Sequence, residues 1–111
     1  MTVRALREAL SLEVFHLSDP EREITGGYAG DLLSWVMGRA RENDAWLTIM
    51  SNQNVAAVAL MTDAACVILT EGVKPDPDLL RRAEEKGVNL LGTEEDTFAA
   101  ALRVGALISA Q

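Results

Sequence analysis

The sequence predicts an α/β fold: one domain over residues 1–111, a layered sandwich with a mainly parallel sheet of about five strands and helices on its faces. Three observations lead there. From Ala45 onward, short apolar runs alternate with helical ones in the order strand, helix, strand, helix, strand, helix. That alternation is the pattern of parallel strands joined by right-handed crossovers. Hydrophobic residues make up 49% of the 111, enough to bury one modest core. No linker, repeat or low-complexity tract divides the chain.

Taken in order, Thr2 to Leu10 reads as a short helix capped by Thr2, with Val3, Leu6 and Leu10 on one stripe. Leu12 to Leu17 is a strand, Leu12 and Val14 alternating against Glu13. Ser18-Asp19-Pro20-Glu21 marks a turn, and Glu23 to Tyr28 is a second strand. The chain is organised around Ile24 to Met37. There an extended segment ends in Gly26 and Gly27, turns at Gly30, and meets Asp31 as the N-cap of an amphipathic helix. These glycines are free to take positive φ or to admit a close neighbour. Leu32, Leu33, Val36, Met37 and Ala40 form the apolar face of that helix.

Ala45 to Met50 reads as a buried strand, broken by the cap-forming run Ser51-Asn52-Gln53-Asn54. Val55 to Ala64 is a helix apolar on nearly every side, which implies a place inside the molecule or at a subunit contact. Cys66 to Thr70 is the next strand. Asp76 before Pro77 opens a helix through Leu79, Leu80 and Ala83 to Lys86, and Gly87 supplies its left-handed stop. Val88 to Leu91 is the last strand. Thr93 with Asp96 reads as a capping box for a final helix that turns Phe98, Ala101, Leu102, Gly105 and Ile108 inward.

The net charge of −7 argues against a nucleic-acid partner, which needs clustered Lys and Arg to neutralise phosphate. No apolar run reaches the roughly 18 residues of a membrane span. The amino terminus lacks the apolar core of a signal peptide, so the cytoplasm is the expected compartment. Cys66 is the single cysteine. It cannot form an intrachain disulfide or a multi-cysteine metal site, and its apolar setting reads as structural burial.

In an open parallel sheet, ligands sit beyond the carboxyl ends of the strands. Those ends are polar here, and each polar residue has a second reading as a helix cap. The ligand-binding reading places Gly26, Gly27, Asp31 and Ser34 on one wall and Asn52, Asn54, Thr70, Glu71, Thr93 and Thr97 on the other. The glycines would admit the ligand, and hydroxyl and amide groups would orient it. A helix N-terminus behind a glycine turn suits an anion or a nucleotide-like group.

The sequence contains neither a Gly-x-x-x-x-Gly-Lys-Ser/Thr phosphate loop nor a Gly-x-Gly-x-x-Gly fingerprint. His16 is the lone histidine and reads as a strand residue, not a catalytic base. No catalytic residue, metal ligand or cofactor is expected.

The run Gly26-Gly27-Tyr28, Gly30-Asp31-Leu32-Leu33-Ser34 and Val36-Met37 resembles the DRTGG domain family. The resemblance continues through Trp46-Leu-Thr-Ile, Asn54-Val-Ala-Ala-Val-Ala, Leu69-Thr-Glu-Gly72, Lys74-Pro75-Asp76, Thr93 and Thr97-Phe98, so it spans about Leu12 to Leu107. Two departures stand out. Arg22-Glu-Ile-Thr25-Gly26-Gly27 keeps Thr-Gly-Gly without a contiguous Asp-Arg-Thr, and Asn52 stands where the family pattern often has His. The resemblance implies a small α/β regulatory module. Such modules occur beside CBS domains, within phosphotransacetylases and, in similar form, at the amino end of HPr kinase/phosphorylase. It also implies a fold similar to a uridine-nucleotide-binding domain of cell-wall ligases.

The reading is therefore a non-catalytic regulatory or sensor module. It binds a small anionic or nucleotide-like ligand, or a partner protein, and forms a homodimer through the apolar helix Val55 to Ala64 and the two Trp residues. The alternatives are a small metal-assisted hydrolase using Asp31, Glu71 and Asp96, and a purely structural protein-interaction domain.

Overall fold

In the computed structural model, which describes Met1–Gln111, the chain runs through α1 (Val3–Leu10), β1 (Glu13–His16), β2 (Gly26–Ala29), α2 (Leu33–Arg39) and β3 (Asp44–Thr48). It continues through α3 (Asn54–Thr62), β4 (Cys66–Leu69), α4 (Pro77–Lys86), β5 (Leu90–Gly92) and α5 (Thr97–Ser109). The strands form one five-stranded sheet in the order β1-β5-β4-β3-β2. β2 through β5 are parallel neighbours, and β1 joins β5 antiparallel. The expected mainly parallel five-stranded sandwich is what the chain forms.

Period-2 alternation sorts the strand side chains into two cores. Ala45, Leu47, Cys66, Ile68 and Leu91 pack against α1 and α5, through Val3, Leu6, Ala100 and Val104. Trp46, Val67, Leu69 and Leu90 pack against α2, α3 and α4, through Val36, Val55, Leu79 and Ala83. The strands buried on both faces are the continuous apolar runs in the sequence, as parallel sheets require. No helix is long and apolar enough to cross a membrane.

β1 and β2 lie at opposite edges of the sheet, so the segment between them crosses under the amino ends of the parallel strands. Side chains there clamp it. Asn89 Oδ1 accepts from the N–H groups of Ser18 and Asp19, both at 2.9 Å, while its Nδ2 donates to the carbonyls of Asp19 and Ala65. Arg22 donates to Asn43 Oδ1 at 2.8–2.9 Å and to the carbonyl and carboxylate of Asp63. Arg22, in the run that resembles the family motif, therefore ties loops together.

Several local expectations change in the folded chain. Thr2 caps α1 as expected, accepting from Ala5 N at 3.0 Å, and Gly87 takes the left-handed φ of 75°. Gly26, Gly27 and Gly30, however, do not use positive φ; the left-handed glycines are Gly72 and Gly87. Asp31 does not cap α2, which starts after Leu32 without a side-chain cap. Thr93 does not cap α5 either: Asp96 does, accepting from Ala99 N at 2.8 Å. Phe98 and Leu102 were expected inward but are 75% and 59% exposed, because Ala100 and Val104 occupy the inner face of α5. Trp46 is fully buried and takes no part in any outer surface. Leu60 and Met61 project from α3, while Val55, Ala56, Val58 and Ala59 fill the core.

Candidate functional site

The carboxyl edge of the sheet is built from polar residues that satisfy one another. Asp31 Oδ1 accepts from the Thr48 hydroxyl at 2.8 Å and from Ile49 N at 2.9 Å, which ties the turn after β2 to the end of β3. Thr70 is fully buried, and its hydroxyl is 2.7 Å from that of Thr97. Glu71 Oε2 accepts from Thr97 N at 3.0 Å and so closes the amino end of α5.

Glu71 holds a φ of 61°, an uncommon conformation for a residue with a side chain. The turn it makes carries its own N–H to the Glu95 carbonyl at 2.8 Å and that of Gly72 to the Thr93 carbonyl at 3.0 Å. Glu94 lies directly over Gly72, where any Cβ would collide with its carboxylate. The loops after β4 and β5 diverge towards helices on opposite faces, yet the gap between them is filled by their own hydrogen bonds. Above it, Lys74 sits 2.7 Å from Glu13 and 3.5 Å from Glu94. The Glu13 hydrogen bond, reinforced by the two negative charges, holds the Lys74 ammonium above its ordinary pKa.

Asp31 accepts from Ile49 N at the end of β3, whereas Glu71 and Asp96 both accept at the amino end of α5, from Thr97 N and Ala99 N. No group of three His, Cys, Asp or Glu residues is arranged to hold a metal ion. The convergence that a metal-assisted hydrolase needs is therefore missing at these carboxylates.

A separate concavity lies between edge strand β2 and α5. It is a groove of about 330 Å³. Gly26, Gly27, Ala29 and Leu47 line its sheet side, and Ala101, Val104, Gly105 and Ile108 its helix side. Its origin is missing side-chain volume. Gly27 and Ala29 stand in register with Ala45 and Leu47, on the α5 face, and leave almost nothing between the sheet and the helix. Ala101 and Gly105 do the same from the helix. A Cβ at Gly27 would rest 3.4 Å from the Ala45 carbonyl, and one at Gly105 would meet nothing within 4 Å. Both positions thus have room that this chain leaves unused. β2 is also the last strand of the sheet, so its outer backbone edge has no strand partner.

Gly26 has another reason to be glycine. Its Cβ would fall 2.6 Å from Asp44 Oδ1, on a carboxylate whose other oxygen accepts from Arg41 N at 2.8 Å.

The sequence-expected binding residues thus fall into separate places. Gly26 and Gly27 line the β2–α5 groove. Asp31, Thr70, Glu71, Thr93 and Thr97 lie along the carboxyl edge in the bonds just described, Thr93 accepting from Glu95 N. Asn52 accepts from Asn54 N at 2.9 Å, and Asn54 itself lines a shallow groove between α3 and α4 with Arg82 and Lys86. Ser34 is exposed on α2. The helix wall of the main groove was not anticipated. Its signal was the spacing of Ala101, Gly105 and Ser109, small residues on one line of a helix.

A family model described as the DRTGG domain matches residues 29–107. Among solved structures, the chain is similar to the CBS and DRTGG domains of the regulatory region of Clostridium perfringens pyrophosphatase, complexed with its activator diadenosine tetraphosphate. The TM-score is 0.69 at 14% identity, over 93% of this chain and 45% of that one. The chain therefore spans under half the length of that structure, and the likeness is one of fold. No curated protein matches the sequence.

Proposed function

Because the chain belongs to the DRTGG domain family, we propose that it is a non-catalytic regulatory module that takes a small nucleotide-like ligand in the groove between β2 and α5. One observation carries this reading: a groove of about 330 Å³ formed because both of its walls lack side-chain volume. Its lining is mostly apolar and includes glycine backbone on an unpaired strand edge. Such a lining suits a flat ring that also uses backbone N–H and C=O groups. An anionic tail, if the ligand carries one, would leave the groove for solvent, since no cation lines it. The pyrophosphatase regulatory region, which contains this fold, was solved with a dinucleotide activator; that gives a nucleotide its place at the head of the candidates. The module is proposed to work in the cytoplasm, where its one thiol stays reduced. A partner protein that reads the liganded state is part of the same reading.

A thermal-shift screen against nucleotides, acyl phosphates and divalent metals tests this. A ligand that binds only the native state, at a hundredfold its dissociation constant, adds about 2.7 kcal/mol. For a domain of this size that raises the midpoint by roughly 10 °C or more. The shift is expected to saturate and to vanish in Gly27→Val, which fills the groove from a strand position with room for a Cβ. No shift across the panel, or one unchanged by Gly27→Val, contradicts the proposal.

A further inference from the structure

We propose that the groove between α3 and α4 binds a phosphate group, free or carried by a small molecule, through Arg82 and Lys86. The groove has a volume of about 250 Å³ and lies on the face of the sheet opposite to α5. From α3 it is lined by the small residues Ala56 and Ala57, which leave the space between the two helices open. Arg82 and Lys86 line it from α4, and Gln53 and Asn54 from the start of α3. Neither cation belongs to the polar carboxyl edge of the sheet.

What singles out this pair is that the chain gives it no partner. Of the ten Lys and Arg residues, Arg4, Arg22, Lys74, Arg81 and Arg103 form ion pairs, and Arg39 stacks on Trp35. Arg7, Arg41, Arg82 and Lys86 remain, and the last two share one groove. They stand four residues apart on one helix, where like charges are neighbours and repel. Lys86 has a local reason to be basic, since the last turn of a helix favours a cation. Arg82, a turn earlier, has none. Carboxylates of α4 do not neutralise the pair: Asp78 is taken by Arg81, and Glu84 and Glu85 do not line the groove. In a chain with a net charge of −7, no Asp or Glu lines this one cavity.

The chemistry of the lining selects the anion. A phosphate group carries about −1.5 to −2 charges at pH 7, which two adjacent cations match and a carboxylate does not. The Arg82 guanidinium offers a planar fork for two phosphate oxygens, and Lys86 adds a point charge. The first backbone N–H groups of α3 are already used, those of Asn54, Val55 and Ala56 by Asn52 and Gln53. The site is therefore one of side chains, with the amides of Gln53 and Asn54 as further donors. At about 250 Å³ the groove is smaller than the roughly 300 Å³ at which pockets for drug-sized ligands begin, so it suits a phosphate group with little else enclosed.

An NMR titration of isotope-labelled protein with inorganic phosphate, against chloride at the same ionic strength, tests the proposal. Saturable shifts are expected at Asn54, Ala57, Arg82 and Lys86, with a dissociation constant of about 1 mM or below. Arg82→Gln with Lys86→Gln should weaken binding at least about tenfold. Its melting midpoint in chloride should not fall, because both side chains are exposed and repel each other. Arg7→Gln with Arg41→Gln removes the same charge elsewhere and should bind as the wild type does. So should Gly27→Val, which fills only the β2–α5 groove, so the two sites succeed or fail separately. Glycerol phosphate binding more tightly than inorganic phosphate would identify a phosphorylated small molecule as the occupant, and equal affinity would identify phosphate itself. Three outcomes overturn the proposal: no shifts beyond those in chloride, a double variant at Arg82 and Lys86 that binds as the wild type does, or an equal loss in the Arg7 and Arg41 variant.

Discussion

At Gly26 and Gly27, two neighbouring residues of one type answer to different constraints. A methyl group on Gly26 would press into the Asp44 carboxylate at 2.6 Å, whereas one on Gly27 reaches ordinary contact distance from Ala45 at 3.4 Å. Gly26→Ala should therefore destabilise the fold by about 1–3 kcal/mol, as overpacking does. Gly27→Ala should cost under about 1 kcal/mol, and urea denaturation of the two variants separates them. The same close reading applies to Cys66, whose burial pushes its thiol from 9.0 up to about 12. Native protein should not react with a thiol reagent at pH 8 and should react once unfolded. Because the unfolded thiol ionises first, stability falls as pH rises from about 9 towards 12, and Cys66→Ala should remove that part of the decline. The sequence shows that a glycine is present and that a cysteine is apolar-flanked. It does not show what faces either one, because Asp44 meets Gly26 only when β2 and β3 pair.

Among the elements, α5 gives the sharpest contrast between pattern and packing. Its apolar residues occupy more than one face, so spacing alone could not decide which face goes in. Small Ala100 and Val104 win the interior because α5 lies close over β2 and β3, and bulky Phe98 and Leu102 are left outside. Its ends were readable as a set of capping residues but not as assigned roles: Asp96 is the cap and Glu71 reaches in from another loop. Asp96→Ala should cost about 1 kcal/mol, the usual value of a lost N-cap. Gly105→Ala should add about 1 kcal/mol in dilute protein. Asp31 illustrates the reverse case. It sits two residues before the helical start, one short of the cap position that Leu32 takes, and its carboxylate turns back to Thr48 and Ile49. Asp31→Ala is thus expected to loosen the β2–β3 junction, lowering the thermal midpoint without acting through a ligand.

On the scale of the whole molecule, the architecture was legible because it depends on the order of apolar runs, which local sequence records directly. The parallel strands follow one another across the sheet from β2 to β5 without reversal. Helices α2 to α4 therefore share one face, and α5 crosses alone to join α1 on the other. That crossing brings the last helix over the first parallel strand and creates the groove. Its two walls, Gly27 with Ala29 and Ala101 with Gly105, come from opposite ends of the chain, and no local motif joins them. The polar carboxyl edge was legible from sequence, and there Asp31, Thr70, Glu71 and Thr97 hydrogen-bond within the edge itself. Row Ala101, Gly105 and Ser109 lines both the groove and the outer face of α5.

The most direct test is amide-resolved NMR of the labelled protein during titration with the nucleotide found in the screen. The groove account predicts saturable shifts at Gly27, Ala29, Ala101 and Gly105, with the amides of Glu71, Gly72 and Thr97 unmoved. Shifts centred on the carboxyl-edge loops, with the β2 and α5 signals unchanged, would contradict it.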